Sequence, residues 1–369
     1  MLKANIETFL ACDASYEEAG IVLYGAPFDS TTSYRPGTRF GSRAIRSESY
    51  GLESYSPYQD RDLTDYAVFD AGDQELCFGD ASLALKDLRE RAAEVAGDGK
   101  IPFMLGGEHL VTLAPVQALA EKYPDLHIIH FDAHADLRDD YLGAKLSHAC
   151  VLRRCWEVLG DGRITQFGIR SGDREEWRWG KEHVTTHPFI VDMEVLQETL
   201  RKLEGKPVYF TLDLDVLDPS VFPGTGTPEP GGISFEELRR AVTQICSTAR
   251  IVGCDVNELS PALDASGAST AVACKIVREM LLALLGNLYG HDTVVYRWVT
   301  GFTLAAALFD FVKALPKAIT ETPAVSAVIG FADSYLPFFE LGLGWICPAA
   351  VGLFVGLIFH RTRRNRPAA

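Results

Sequence analysis

Short apolar runs alternate with helix-like segments between residues 21 and 285. In residues 81–95, 115–122, 235–245 and 270–285, apolar side chains recur at the three- and four-residue steps of an amphipathic helix. Strands that are apolar throughout and alternate with helices belong to parallel sheets with helices on both faces. The pattern therefore predicts an α/β fold, a three-layer sandwich around a parallel β-sheet. The predicted strands are IVLYGAP from Ile21, IPFML from Ile101, HIIHF from His127, ITQFGI from Ile164, VYFTLDL from Val208 and IVGCDV from Ile251.

Acidic and imidazole side chains follow these predicted strands. The carboxyl ends of parallel strands meet at one edge of a sheet, and ligands bind beyond that edge. One or two such residues could be helix caps or surface charges, but that explanation does not readily cover the whole series. The series consists of Asp29, Glu108, His109, Asp132, His134, Asp136, Asp213, Asp215, Asp255 and Glu258.

The segment HIIHFDAHAD, residues 127–136, indicates a metal site. Asp132, His134 and Asp136 alternate, so an extended chain would point all three to one side. With His109 and the pair Asp213 and Asp215, the set has more ligands than one ion can use while keeping an open position. Two ions about 3.5–4 Å apart, with shared carboxylates, would use them all. Carboxylates without cysteine disfavour structural zinc and favour Mn²⁺, so we predict metal-assisted hydrolysis with two Mn²⁺ ions.

Other histidines have different predicted roles. His127 and His130 lie in or beside an apolar strand, where a buried supporting histidine is the simpler interpretation than a ligand. His148 comes twelve residues after Asp136 in a polar segment. At that position it could act as the general acid that protonates a departing amine.

Charge and composition restrict the partners. The chain has 369 residues, 47% of them hydrophobic, and a formal net charge of −15, which argues against binding nucleic acid. The negative charge suits a cationic substrate, although an acidic surface that maintains solubility explains it as well. Eight cysteines are scattered without paired spacing, as expected of reduced core residues in a cytoplasmic protein.

Five sequence blocks resemble the ureohydrolase superfamily, which includes arginases and agmatinases, in order and spacing. The resemblance covers residues 5–285, and the block PFDSTTSYRPGTRFGSRAIR at residues 27–46 is similar to bacterial and archaeal agmatinases. The resemblance implies an arginase-like fold and a homo-oligomer. The five blocks are GGEH at 106–109, DAHAD at 132–136, SHACVLRR at 147–154, LDLDVLDPSVFPGTGTPEPGG at 212–232 and DVNELSP at 255–261.

The resemblance also implies a role for each site residue. One Mn²⁺ would be held by His109, Asp132, Asp136 and Asp213, and the other by Asp132, His134, Asp213 and Asp215. His148 matches the histidine that shuttles protons. Glu258 matches the carboxylate that pairs with a substrate guanidinium, a planar charge-assisted contact. The implied reaction cleaves agmatine to urea and putrescine, with Asp136, His148 and Glu258 in the catalytic set.

The choice of guanidino substrate stays open at this point. The segment YLGAKLS at residues 141–147 lacks the Ser/Asn-rich loop with which arginases hold an amino-acid head group, which disfavours arginine. Guanidinobutyrate and other guanidino compounds are alternatives to agmatine. A membrane protein of the transport class with an inactive hydrolase domain is the alternative from another functional class.

The chain changes character after Leu285. Residues 341–359 form a stretch of 19 residues without a charge, which is long enough for a spanning helix, and the basic segment after it favours a cytosolic C-terminus. Residues 294–312 are a weaker candidate, and two buried helices are the alternative. Residues 301–357 resemble the C-terminal end of bacterial branched-chain amino-acid carrier permeases, as after a gene fusion or frameshift. We predict a cytoplasmic catalytic domain at 1–285 and a hydrophobic helical tail at 286–369 that tethers it to the membrane.

Overall fold

A computed structural model describes residues 7–289 of the chain. Residues 1–6 and 290–369 are outside the described part, and so are the predicted spanning helix and most of the predicted tail. Within residues 7–289, no helix combines the length and the apolar character that crossing a membrane requires.

The described residues form ten strands, eight α-helices and six short 3₁₀ helices. The strands are β1 Ile21–Gly25, β2 Tyr55–Ser56, β3 Arg61–Asp62, β4 Val68–Asp73, β5 Ile101–Leu105, β6 His127–Phe131, β7 Ile164–Ile169, β8 Thr185–Pro188, β9 Pro207–Asp213 and β10 Arg250–Asn257. The helices are α1 Gly41–Ser49, α2 Ala81–Gly97, α3 Leu113–Lys122, α4 Val151–Leu159, α5 Arg174–His183, α6 Met193–Lys202, α7 Phe235–Thr248 and α8 Ala268–Tyr289.

Eight of the strands form one parallel sheet in the order β4-β1-β5-β10-β9-β6-β7-β8. This confirms the predicted parallel sheet and the six predicted strands. The sequence pattern missed the two edge strands, β4 and β8, because their side chains are mostly half-buried or exposed. An edge strand needs no continuous apolar run, so it gives a weaker signal.

The helices cover both faces of the sheet, which gives the predicted three layers. One apolar cluster includes side chains of α1, α6, α7 and α8, and a second includes side chains of α2, α3 and α4. The central strands β5, β6 and β9 are buried along their whole length between these clusters. All seven described cysteines are free, and six of them are buried, as predicted.

Helix α8 continues past Leu285, the predicted end of the catalytic domain. The Asn287 side chain donates to the carbonyl oxygens of Cys246 and Ala249 at 3.1 and 2.8 Å, and the Tyr289 ring stacks on Tyr66. The last turn of α8 therefore caps α7 and packs on the body of the fold. The boundary between catalytic domain and tail stays a prediction.

Candidate active site

The candidate site lies at the carboxyl ends of four neighbouring strands, β5, β10, β9 and β6. A cavity of about 370 Å³ opens there. This volume falls within the range of small-molecule sites. The cavity is lined by six of the predicted site residues, namely His109, His134, Asp136, His148, Asp213 and Glu258.

Asp132 follows directly after β6 and is fully buried. Its Oδ2 lies 2.9 Å from Nδ1 of His109, and its Oδ1 lies 3.5 Å from Nδ1 of His134. Oδ1 also accepts a hydrogen bond from the backbone N–H of His134. One carboxylate therefore presents one oxygen to each imidazole, which is the arrangement of a ligand shared by two ions.

Three carboxylates converge on a single nitrogen of His109. Nδ1 lies 2.9 Å from Asp132, 3.2 Å from Asp136 and 3.4 Å from Asp213. Ligand atoms bound to one ion at about 2.1 Å stand about 3–3.5 Å from one another, so this spacing fits a common ion. His109 Nδ1 is buried, and despite this closeness it makes no hydrogen bond among the described residues.

A second group consists of Asp132, His134 and Asp215, whose ligand atoms lie within 4.8 Å of one another. His134 Nδ1 is 2.9 Å from Oδ2 of Asp215, and this oxygen too is buried without a hydrogen-bond partner in the described chain. Asp213 faces His109 with its Oδ2, while its Oδ1 accepts the backbone N–H of Asp215. All six predicted ligands thus gather in two groups that share Asp132.

Asp136 reaches this site in a different way from the one predicted. Strand β6 ends at Phe131, and Asp136 has a left-handed backbone with φ of 54°. Alternation along an extended strand therefore does not bring Asp136 to His109; the turn of the backbone does. Glu258, also in the cavity wall, has φ of 66°. Left-handed conformations of residues other than glycine are strained and concentrate at functional sites.

His130 is fully buried beside Asp132, as predicted, and the ligand atoms of His130, His109 and Asp132 lie within 4.8 Å of one another. Its Nε2 lies 2.9 Å from Oδ2 of Asp132, and its Nδ1 lies 3.0 Å from the side-chain amide of Gln166. The Gln166 amide also donates to the carbonyl oxygen of Ala135. Because that amide donates to Nδ1, the His130 proton sits on Nε2 and points at Asp132. Sequence reasoning missed Gln166, which lies on β7.

The carboxylates of the site strongly perturb one another. Burial, followed by the charge of Asp132, raises the pKa of Asp136 to about 7. Burial also raises the pKa of Asp213 and of Asp215. Burial alone would lower the pKa of His109, but its contacts with Asp132, Asp136 and Asp213 raise it well above the ordinary value. A cluster of buried acids of this kind favours cations, so the donor set fits metal ions.

His148 lies at the cavity wall, where a three-residue 3₁₀ turn, His148–Cys150, precedes α4. Its Nε2 is 3.4 Å from the Ser33 hydroxyl, and its backbone N–H donates to the Thr31 hydroxyl at 3.1 Å. Burial lowers the pKa of His148 to about 4. The imidazole is therefore neutral at pH 7 and can accept a proton and pass it on.

Glu108 connects His148 to the body of the site. The Glu108 side chain is fully buried and accepts hydrogen bonds from the backbone N–H of Thr31 and from the hydroxyls of Thr31 and Thr32. The same Thr31 hydroxyl receives the N–H of His148. Sequence reasoning placed Glu108 at the sheet edge but missed Thr31, which is 77 residues from Glu108 along the chain.

Glu258 follows β10 and is 7% exposed. Its backbone N–H donates to Gly107, and its Oε1 accepts the backbone N–H of His109 at 2.7 Å. Burial, followed by the charge of Glu108, raises the pKa of Glu258 well above the ordinary value. The carboxyl is held at the cavity wall beside His109, where it can meet a cation.

Comparisons with known proteins agree with this geometry. The model of the Arginase family matches residues 19–283. The agmatinase of Bacillus subtilis is 48% identical over 280 residues, covering 76% of this chain and 97% of that protein. The human mitochondrial guanidino acid hydrolase is 33% identical and covers 74% of this chain and 81% of its own.

Solved structures show the same fold. The agmatine ureohydrolase of Thermoplasma volcanium aligns with a TM-score of 0.72 and 35% identity, over 78% of this chain and 97% of its own. A Bacillus subtilis arginase aligns with a TM-score of 0.62 and 27% identity, over 71% of this chain and 98% of its own.

The C-terminal part of the chain matches another family. Residues 273–363 match the model of a branched-chain amino acid transport protein, which confirms the resemblance of the tail. The matched range begins inside α8. Over most of its length, however, the chain belongs to the arginase family and is a ureohydrolase.

Proposed function

We propose that this protein is a binuclear manganese hydrolase that cleaves the guanidino group of agmatine to urea and putrescine. The observation that carries the proposal is the convergence of two imidazoles and four carboxylates around Asp132, on a cavity whose wall also contains Glu258. The names of relatives that share up to 48% of their residues with this chain support agmatine as the substrate.

The residues that would hold the metal follow from the two groups. One Mn²⁺ would be bound by His109, Asp132, Asp136 and Asp213, and the other by Asp132, His134, Asp213 and Asp215. His109 Nδ1 and Asp215 Oδ2 support this assignment, because both are buried and neither makes a hydrogen bond among residues 7–289. Bound manganese would supply hydroxide near neutral pH, because such ions lower the pKa of water.

Glu258 would orient the substrate. A guanidinium is planar and donates parallel hydrogen bonds, so a carboxylate fixed at one end holds the central carbon in a defined position. The backbone N–H of His109 fixes the Glu258 side chain at 2.7 Å. Because Glu258 is hydrogen-bonded to the backbone of His109, a predicted metal ligand, it would hold the substrate carbon close to the two ligand groups.

His148 would carry the proton to the leaving group. Water adds to the guanidinium carbon, the bond between that carbon and the alkyl-bearing nitrogen breaks, and this nitrogen needs a proton to leave as an amine. His148 Nε2 faces the cavity beside Ser33 and is neutral at pH 7, so it can take the proton released by water and deliver it. The products are urea and the amine.

The outer cavity favours a substrate with a second cationic end over a guanidino acid. Arg138 is the basic residue in the described lining that could bind a substrate carboxylate. Its guanidinium is already paired with Glu176 at 3.2 Å and Asp173 at 3.6 Å, and it stacks over the Tyr141 ring. Two carboxylates against one guanidinium leave this wall negative, as an ammonium group requires.

Urea release from a panel of guanidino compounds tests the proposal. We expect Mn²⁺-loaded protein to release urea from agmatine with a higher kcat/KM than from guanidinobutyrate or arginine. Chelation should abolish the activity, and added Mn²⁺ should restore it. Metal-loaded protein that is inactive on all three compounds would refute the proposal. A preference for guanidinobutyrate would leave the reaction intact and overturn the assigned substrate.

A further inference from the structure

A buried polar layer lies behind His109, on the side away from the cavity. It contains Thr112, Tyr209, Thr211, Asp255 and Asn257, none of which is more than 1% exposed. The centre of a parallel sheet is normally apolar on both faces, and buried polar groups are retained only when each is hydrogen-bonded. Neither metal group contains any of these five residues.

The layer contacts the site through one nitrogen of His109. Nδ1 faces the carboxylates of Asp132, Asp136 and Asp213, whereas Nε2 lies 2.9 Å from the Thr211 hydroxyl. If Nδ1 binds a cation, that nitrogen gives up its proton, and the ring proton must sit on Nε2. The Thr211 oxygen is then the acceptor that this N–H requires in the buried site.

Asp255 sets the direction of the Thr211 hydroxyl through Thr112. The Asp255 carboxylate accepts from Thr112 at 2.8 Å, from Tyr209 at 2.5 Å and from Asn257 at 2.7 Å, and the Thr112 hydroxyl lies 3.3 Å from the Thr211 hydroxyl. A hydroxyl has a single proton to donate. Because Thr112 donates its proton to Asp255, Thr211 donates to Thr112, and its lone pair is left for His109.

The backbone holds this chain of groups in register. Tyr209, Thr211 and Asp213 alternate on β9, so they share one side of the strand, and in the sheet Asp255 of β10 is paired with Thr211. Asp213, the next residue of that series, approaches His109 Nδ1 at 3.4 Å. Strand β9 thus supplies Asp213, a proposed ligand, and Thr211, the hydrogen-bond acceptor for Nε2 of His109.

We propose that Thr211, oriented by Asp255, is a positioning residue that holds His109 in the tautomer with Nδ1 free for metal. The inference rests on the proposed manganese site and adds a determinant of metal affinity outside the ligand set. Loss of the Thr211 hydroxyl leaves the buried Nε2–H without an acceptor whenever Nδ1 binds metal. The proton then prefers Nδ1, where it competes with the ion. Partners of this kind typically change metal affinity about 10- to 100-fold.

The test uses Thr211→Val, which keeps the shape and removes the hydroxyl, and Thr211→Ser, which restores the hydroxyl. Thr199→Val is the matched control, because Thr199 is a buried threonine on α6 whose hydroxyl donates to Val195 within its own helix. Mn²⁺ alone is titrated into each metal-free protein against a competing chelator. Thermal unfolding of each metal-free protein is measured in parallel.

We expect Thr211→Val to bind one Mn²⁺ about 10- to 100-fold more weakly, with Thr211→Ser and Thr199→Val close to wild type. If Thr211→Val lowers only the unfolding midpoint and binds both ions normally, the residue is merely structural and the inference is wrong. The inference is also wrong if Thr211→Ser is as impaired as Thr211→Val. Wild-type protein that binds no Mn²⁺ would instead refute the proposed function.

Discussion

Replacement of Glu258 by glutamine isolates the contact that should hold the substrate. The amide has nearly the shape of the carboxyl, and its oxygen can still accept the backbone N–H of His109, now found at 2.7 Å. What is lost is the charge and one of the two acceptors for a guanidinium. Glu258→Gln should therefore leave the metal ligands in place and weaken only substrate orientation.

The size of the effect follows from the two hydrogen bonds that a guanidinium makes to a carboxylate. A hydrogen bond to a charged group contributes about 1.5–3 kcal/mol and a neutral one about 0.5–1.5 kcal/mol. Loss of one charged bond and replacement of the other by a neutral one costs about 2.5–4.5 kcal/mol, so kcat/KM should fall about 70- to 2,000-fold. The assay is urea release from agmatine over a range of substrate concentrations, with manganese content measured on the same samples.

The control for loss of a negative charge is Glu198→Gln, because Glu198 is an exposed residue of α6 that pairs with Lys202. The thermal unfolding of the metal-free variant shows whether the substitution causes a folding defect. Burial raises the pKa of Glu258. Above the pKa that Glu258 has in the unfolded chain, folding must therefore either bind a proton or bury a charge, and both lower the stability of the wild type. The glutamine variant avoids this loss and should unfold at a higher temperature than wild type. If kcat/KM of Glu258→Gln stays within threefold of wild type at full metal content, Glu258 does not hold the guanidinium.

The remaining predictions concern metal, protons and the last helix. Asp132→Ala should bind neither ion, whereas His148→Ala should bind both and lose about 10²- to 10⁴-fold in kcat; equal metal loss in elemental analysis would contradict this division. The pKa of Asp136 is raised to about 7, so metal-free folded protein keeps a proton that the unfolded chain releases above about pH 4. The thermal unfolding midpoint of the metal-free protein should therefore decrease as the pH is raised from 5 to 8, and a midpoint that stays constant or increases would be contrary evidence. A chain that ends at Tyr289 should keep its activity, whereas one that ends at Leu285 loses the two Asn287 hydrogen bonds and should be less stable by about 1–3 kcal/mol in denaturant unfolding; equal stability of the two would argue against a role for Asn287.

The sequence predicted the central strands and the clustering of the candidate ligands because both have local signals. An apolar run followed by an acid or an imidazole is visible within about ten consecutive residues, as before His109 and before Asp213. The supporting contacts have no such signal. Thr31 and Glu108 are 77 positions apart, Gln166 and His130 are 36 apart, and only the folded sheet brings them together.

The conformation of Asp136 shows a second limit of sequence reasoning. The alternation of Asp132, His134 and Asp136 correctly suggested that all three lie close together, yet an extended backbone was the wrong reason. Asp136 takes φ of 54°, a left-handed conformation that aspartate tolerates better than most residues but that the alternating pattern does not predict. The sequence showed which residue types are present, but it did not show the backbone conformation that directs their side chains into the site.

The polar layer on β9 and β10 also has a consequence for folding. Strand β9 is buried at all seven positions, so the alternation of apolar and polar faces that sets register in a half-exposed strand is absent. A slip by one residue would still bury apolar side chains, but it would move Thr211 and Asp213 to the opposite face, away from Asp255 and His109. The groups assigned to the proposed metal site therefore also penalise misaligned pairings, and selection for catalysis would preserve the alignment of the sheet as well.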